Sequence, residues 1–169
     1  MKRWVGLLTI YLFTLNFSGG IVLAQLLSTS SSLFVNNQTN ITLADAIALS
    51  SERPILLELT FQADVLTTLS EKEVYTFFAP SEEALQELQY ENAQKLRAIL
   101  LHHIVPGKYL LTDLKDSLTL PTLAGDSLTV FRKKREVLVD SVPVNRTNEM
   151  AKNGVIHSIA DILQPKNLE

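Results

Sequence analysis

Between Thr42 and about Leu69 the apolar residues recur at helical spacing, first Leu43, Ala46 and Ile47, then Leu56, Leu57 and Leu59. Pro54 divides the stretch. Proline fits the first turn of a helix, where its missing N–H has no intrahelical partner, so the pattern predicts two packed helices with a new start at Pro54. At residues 74–80, "VYTFFAP", the pattern changes to a continuous β-branched and aromatic run stopped by a proline, the mark of a buried strand. Ser81 then reads as a helix N-cap, with Glu82 and Glu83 in the first turn where the helix dipole favours negative charge; this helix should run to about Leu88.

The clearest helical stripe follows. Leu96, Ile99, Leu100 and His103 fall at i, i+3, i+4 and i+7, which places His103 on the apolar face, points His102 elsewhere, and lets Pro106 and Gly107 end the helix. Beyond residue 108 the chain breaks into short β-like stretches around 118–123, 127–131, 137–144 and 154–163, separated by "AGD", "RKKR" and "KNG" turns. In the last stretch Val155, His157 and Ile159 alternate against Ile156, Ser158 and Ala160. The strand is therefore expected to be buried on much of both faces, with Asn153 and Gly154 forming the turn that leads into it and His157 a hydrogen-bonded core residue. Helices first and strands later predict an α+β domain, with no internal repeat.

Composition changes this picture at the N-terminus. Lys2 and Arg3 precede an apolar run from Trp4 to Phe17, a Gly19-Gly20 pair and a small-residue motif closed by Ala24, so residues 1–24 read as a cleaved signal peptide, with a retained anchor as the alternative. Residues 25–40 are rich in Ser, Thr and Asn and read as a flexible leader; the domain is expected over 41–165. Acceptor patterns for glycosylation at Asn37, Asn40 and Asn145 read as chance matches. The expected location is secreted or periplasmic, cell-surface association included, with no membrane insertion after cleavage.

Charge and cysteine usage narrow the partners. Fifteen Lys and Arg stand against 18 Asp and Glu, a net charge of −3, which argues against nucleic acid. The one basic cluster, "RKKR" at 132–135, lies between two β-like stretches and reads as a solvated hairpin tip, with a polyanion site as the other possibility. There are no cysteines, so the fold is held by its core without disulfides.

The search for catalysis yields little. Only His102, His103 and His157 could supply an imidazole. Neighbours on a helix diverge by about 100°, so His102 and His103 do not share a metal readily. The chain has no G-x-S-x-G and no phosphate-cradling glycine loop, and Glu82 and Glu83 are better explained by their helix start than by acid/base chemistry. No catalytic residue, cofactor or metal is expected.

Three stretches in order carry a family resemblance: "YTFFAPSEEAL" at 75–85, "LLHHIVPGKY" at 100–109 and "NGVIHSIADIL" at 153–163. Together they resemble the conserved blocks of the fasciclin-like domain, including its single-domain bacterial members, and the likeness covers about residues 40–165. It implies an α+β wedge, a β-sandwich of about seven strands with helices packed on one side, acting in adhesion through surface patches. The motif residues carried over are Thr76, Phe78, Pro80, His103, Pro106, Gly107, Asn153, Gly154 and His157. His102 stands where many members have tyrosine, and Asp161 with Ile162 matches an Asp-Ile pair proposed as a receptor contact in animal matrix members. These three are the candidate binding residues, with strand closure as the other role for the pair. The function expected from the resemblance is a non-enzymatic module that binds a cell-surface or matrix protein or glycan. A small-ligand carrier or enzyme using a cleft between helices and sheet is the alternative.

Overall fold

The computed structural model describes residues 40–134 and 136–165. The expected signal peptide, and the leader apart from Asn40, lie outside the described residues. Helix α1 spans Leu43–Ala48, α2 Pro54–Gln62, α3 Leu66–Ser70, α4 Glu82–Leu85 (continued by a 3-10 turn at Gln86–Leu88) and α5 Ala93–His102. The strands are β1 Tyr75–Ala79, β2 Ile104–Pro106, β3 Thr119–Pro121, β4 Ser127–Lys133, β5 Glu136–Val139, β6 Val142–Ala151 and β7 Gly154–Ile159. The α+β class and the seven strands are as expected. Where two helices were expected between Thr42 and about Leu69 there are three.

Local chemistry explains the starts. Thr42 accepts a hydrogen bond from the Asp45 N–H while the Asp45 carboxylate accepts one from the Thr42 N–H, a reciprocal capping box. Ser81 caps α4 by accepting from the Ala84 N–H, and Asn92 caps α5 through the Lys95 N–H. Pro54 does open α2, but Arg53 gives that helix no side-chain cap. The Glu82 carboxylate supplies it, accepting the Ile55 and Leu56 N–H groups at 2.8 and 3.1 Å. Glu82 therefore decorates its own helix start, as the sequence suggests, and also closes another.

The sheet runs in the order β2-β1-β7-β6-β5-β4-β3; β1 and β7 are parallel and every other pair antiparallel. Its two ends approach each other, since the Leu123 N–H beyond β3 donates to the Ile104 carbonyl of β2 at 2.9 Å. The sheet is thus nearly closed, with a core on each side of β1. Strand alternation sends Tyr75, Phe77 and Ala79 towards the helices, where Leu43, Leu56, Leu96 and Leu100 meet them, and sends Phe78 into the sheet's interior with Val105, Leu128, Val130, Val139 and Ile159. Burying a side chain such as Phe77 or Phe78 completely stabilises the fold by about 2 to 3 kcal/mol each.

Three expectations need correction. Helix α5 stops at His102, and Ile104–Pro106 forms the edge strand β2, because Ile104 and Val105 bury opposite faces against the two cores. The stretch 137–144 is two strands: Asp140 and Ser141 take left-handed φ values of 44° and 74°, the twist that a two-residue hairpin turn requires. Strand β6 then continues to Ala151 through a polar, bulged segment, and β7 ends at Ile159 instead of 163.

Candidate functional site

All three histidines are fully buried. His103 caps the C-terminus of α5; its Nδ1–H donates to the Ile99 carbonyl at 2.8 Å, and its Nε2 accepts the Leu163 N–H at 2.9 Å. Burial lowers its pKa to about 4, against the opposing hydrogen bond to Ile99. A ring that must donate at one nitrogen and accept at the other is neutral. The packed role expected of His103 is what the structure gives it.

His157 is held the same way. Its Nε2–H donates to the Tyr109 carbonyl at 2.8 Å, its Nδ1 accepts the Asn148 N–H at 3.2 Å, and its ring stacks on Phe78 with centroids 5.6 Å apart. Burial moves its pKa down, partly offset by the bond to Tyr109. It is the hydrogen-bonded core residue the alternation of 154–163 predicts.

His102 points away from the leucine stripe but is buried all the same. Its Nδ1–H donates to the Asp126 carboxylate at 2.6 Å, and its ring meets His103 edge-on at 6.3 Å. Thr122 donates to the same carboxylate oxygen. Burial opposes ionisation of Asp126, but the hydrogen bonds from Thr122 and His102 outweigh it and hold the carboxyl below its usual pKa. The pair ties the last turn of α5 to the β3–β4 connection. With no exposed surface, the His102 ring offers nothing directly to a partner. Asp126 carried no signal in the sequence beyond its place in a turn.

The remaining motif residues brace the loops around β1 and β7. Thr76 donates to the Gly107 carbonyl and accepts the Tyr109 N–H, so the chain after β2 is folded back onto β1, and Gly107 makes the bend with φ +99°. Pro80 is buried where β1 ends, whereas Pro106 is exposed on β2. Asn153 joins three elements: its Oδ1 accepts the Leu43 N–H at 2.7 Å, and its Nδ2 donates to the Leu69 and Glu71 carbonyls at 2.8 Å each. Beside it, a Cβ on Gly154 would overlap the Tyr75 carbonyl oxygen. The turn expected at Asn153-Gly154 is thus also a close crossing of β7, β1 and α1.

Asp161 and Ile162 separate. Asp161 is exposed and accepts the Ile162 N–H at 2.7 Å, while Ile162 is buried in the helix-facing core. Both lie beyond the end of β7. Of the three candidate binding residues only Asp161 reaches solvent.

Sequence reasoning missed the pairing of Arg53 with Glu149. The buried guanidinium donates to both carboxylate oxygens, at 3.1 and 2.6 Å, and to Ser158 Oγ at 3.3 Å, fastening the start of α2 to β6 and β7. Such a contact across 96 positions leaves no local pattern to read. No helix among the described residues is long and apolar enough to cross a membrane.

Residues 52–165 match the fasciclin domain family. The chain is 32% identical over 131 residues to the transforming growth factor-beta-induced protein ig-h3 of Sus scrofa, an alignment covering 73% of this chain and 19% of that protein. It is 29% identical over 157 residues to protein sll1483 of Synechocystis, covering 86% of this chain and 87% of that one. Against the ig-h3 proteins, then, it spans less than a fifth of their length, 19% in the pig and 15% in the rabbit. Among solved structures, the FAS1 domain pair of the insect cell adhesion molecule fasciclin I superposes with a TM-score of 0.62 at 19% identity, over 76% of this chain and 52% of that one. The likeness shows the fold.

Proposed function

Because the chain belongs to the fasciclin domain family, we propose that it is an exported, non-enzymatic attachment module that holds a cell-surface or matrix protein or glycan through exposed side chains. The observation that carries this reading is where the chemically capable groups are spent. His103 and His157 are locked to backbone partners at both ring nitrogens, and His102 is buried against Asp126. Glu82 caps a helix, and Arg53 is held by Glu149. One structural relative, fasciclin I, is an insect cell adhesion molecule, which supports the same reading.

Export follows from the charged, apolar and small-residue succession of residues 1–24, and mature protein should begin at Gln25. One domain presents one copy of each patch, so its intrinsic affinity is modest, about micromolar, and display in many copies raises retention without new contacts. The test compares monomeric domain with bead-displayed domain on cells and extracted matrix. Stronger retention of the beads, with no turnover of ester, glycoside or peptide libraries, is the expected result. Equal retention of both forms removes the avidity argument, and robust hydrolysis by the monomer overturns the reading.

A further inference from the structure

Phe131, Leu138 and Pro143 stand directly opposite one another on β4, β5 and β6. Their neighbours Val130, Val139 and Val142 pack into the sheet's interior, so strand alternation turns this row outwards. Phe131 is 47% exposed, Pro143 is exposed and Leu138 half-buried. No residue of β4 or β5 belongs to the helix-facing core, so the row is an open sheet face.

Cations border it. Lys133 is the next outward residue of β4 after Phe131, and Lys134 occupies the hairpin turn at φ 56°; both are exposed. Arg132, between Phe131 and Lys133, points the other way and donates to the Leu111 and Leu114 carbonyls at 3.1 and 3.0 Å. The "RKKR" cluster is therefore divided: Arg132 is tied to two backbone carbonyls, whereas Lys133 and Lys134 are exposed. Two carboxylates lie close by. Glu136 is opposite Lys133 in the register, and Asp116 accepts the Arg132 N–H at 2.8 Å. Thr119 and Thr129, paired on β3 and β4, add hydroxyl-bearing side chains beside the row.

We infer that this face binds an acidic polysaccharide. The inference rests on the attachment reading above and names the partner class. An aromatic ring, a leucine and a proline in line across a β-surface offer a flat strip for the C–H faces of successive sugar rings, because those C–H groups are polarised towards the negative face of an aromatic ring. The lysines at its end meet carboxylate or sulfate groups, and charge complementarity sets the class of sugar. A bilayer would call for apolar groups that insert into the headgroup region with a larger basic surround. Here the apolar row lies in the plane of the sheet, and the basic surround is two exposed lysines, Lys133 and Lys134.

The test uses the mature protein on immobilised polygalacturonate, heparin and neutral dextran, with phosphatidylserine vesicles as a fourth arm. The variants are Phe131→Ser, the double reversal Lys133→Glu with Lys134→Glu, and Phe61→Ser as a control at an exposed helix position away from this face. All are surface changes, and matching thermal melts establish that each is folded. The parent should be retained by one or both acidic polymers but not by dextran, and about 0.5 M salt should release it. Phe131→Ser should weaken binding about tenfold, the double reversal should abolish it, and Phe61→Ser should bind as the parent does. Parental binding by the first two variants, equal retention on dextran, or capture by vesicles alone overturns the inference. Running the same variants on cells and matrix separates the two claims: if all are retained equally there, attachment stands and this face is not responsible; if the parent is retained nowhere, both fall.

Discussion

Acid should loosen this domain through His103 as pH falls from about 7 towards 5. Folded His103 has a pKa of about 4, against 6.5 for an exposed histidine, because its ring is buried and its Nε2 accepts the Leu163 N–H, which a proton would displace. The folded pKa is the lower one, so the contribution to stability is complete above about pH 7, declines as pH falls through 6.5 towards 4, and is gone below. At pH 5 the unfolded chain is almost fully protonated at this site and the folded chain only about one-tenth, which corresponds to a loss of about 2 kcal/mol relative to pH 7.5. His157, also moved down by burial, adds to the loss in the same direction. The assay is urea unfolding of parent and His103→Gln at pH 7.5, 6 and 5. Glutamine removes the titration, so the variant should be less stable at pH 7.5 but should lose about 2 kcal/mol less than the parent on going to pH 5. Equal pH dependence in the two proteins would refute the reasoning, because the slope would then come from groups other than this ring.

Three further outcomes are expected. Asn153→Ala should destabilise by about 2 to 4 kcal/mol in the same unfolding assay, because it strands the Leu43 N–H and the Leu69 and Glu71 carbonyls. Gly154→Ala should cost about 3 kcal/mol or more and deplete soluble protein, since the new methyl group meets backbone rather than a side chain that could move; soluble yield and a melt near the parent's would contradict the crossing described here. His102→Ala should cost about 1 to 3 kcal/mol and lose most of its effect in an Asp126→Asn background, a double-mutant cycle that reads the coupling of α5 to the β3–β4 connection directly.

Much of the architecture was legible because local rules and the fold agree. The run from Tyr75 to Ala79 is buried along its whole length, and its composition says so; Ser81, Pro54 and the Leu96-to-His103 stripe mark helices at their true places. The failures have a common cause. Strand β6 includes Asn145, Arg146 and Asn148, is bulged, and is held by contacts from elsewhere: Arg53 on Glu149, Leu111 on the Asn148 side chain, Asn148 itself on His157. Periodicity cannot report a strand whose partners supply its stability. His102 failed for a related reason. Its position on α5 turns it away from the leucine stripe, but that direction is covered by the connection carrying Thr122 and Asp126, which is 20 or more positions away in the chain. Among the candidate residues, the structural roles of His103, His157 and Asn153 followed from motif and pattern, whereas the open row of Phe131, Leu138 and Pro143 exists only once three strands are in register.

The position of β7 within the sheet has a consequence for how the chain comes to be folded. Among the described residues it is the last strand in sequence, yet it lies between β1 and β6 and is the only parallel partner of β1. Until residues 154–159 have been made, β1 can pair only with β2, and the Asn153 hydrogen bonds to α1 and α3 do not exist. A chain growing from its N-terminus therefore carries its helices and first strand as an incomplete, open assembly for most of its synthesis, and the decisive pairing joins segments about 80 residues apart, a slow closure. Such a polypeptide keeps an open sheet until residues 154–159 arrive, and only then can β1 gain its second neighbour.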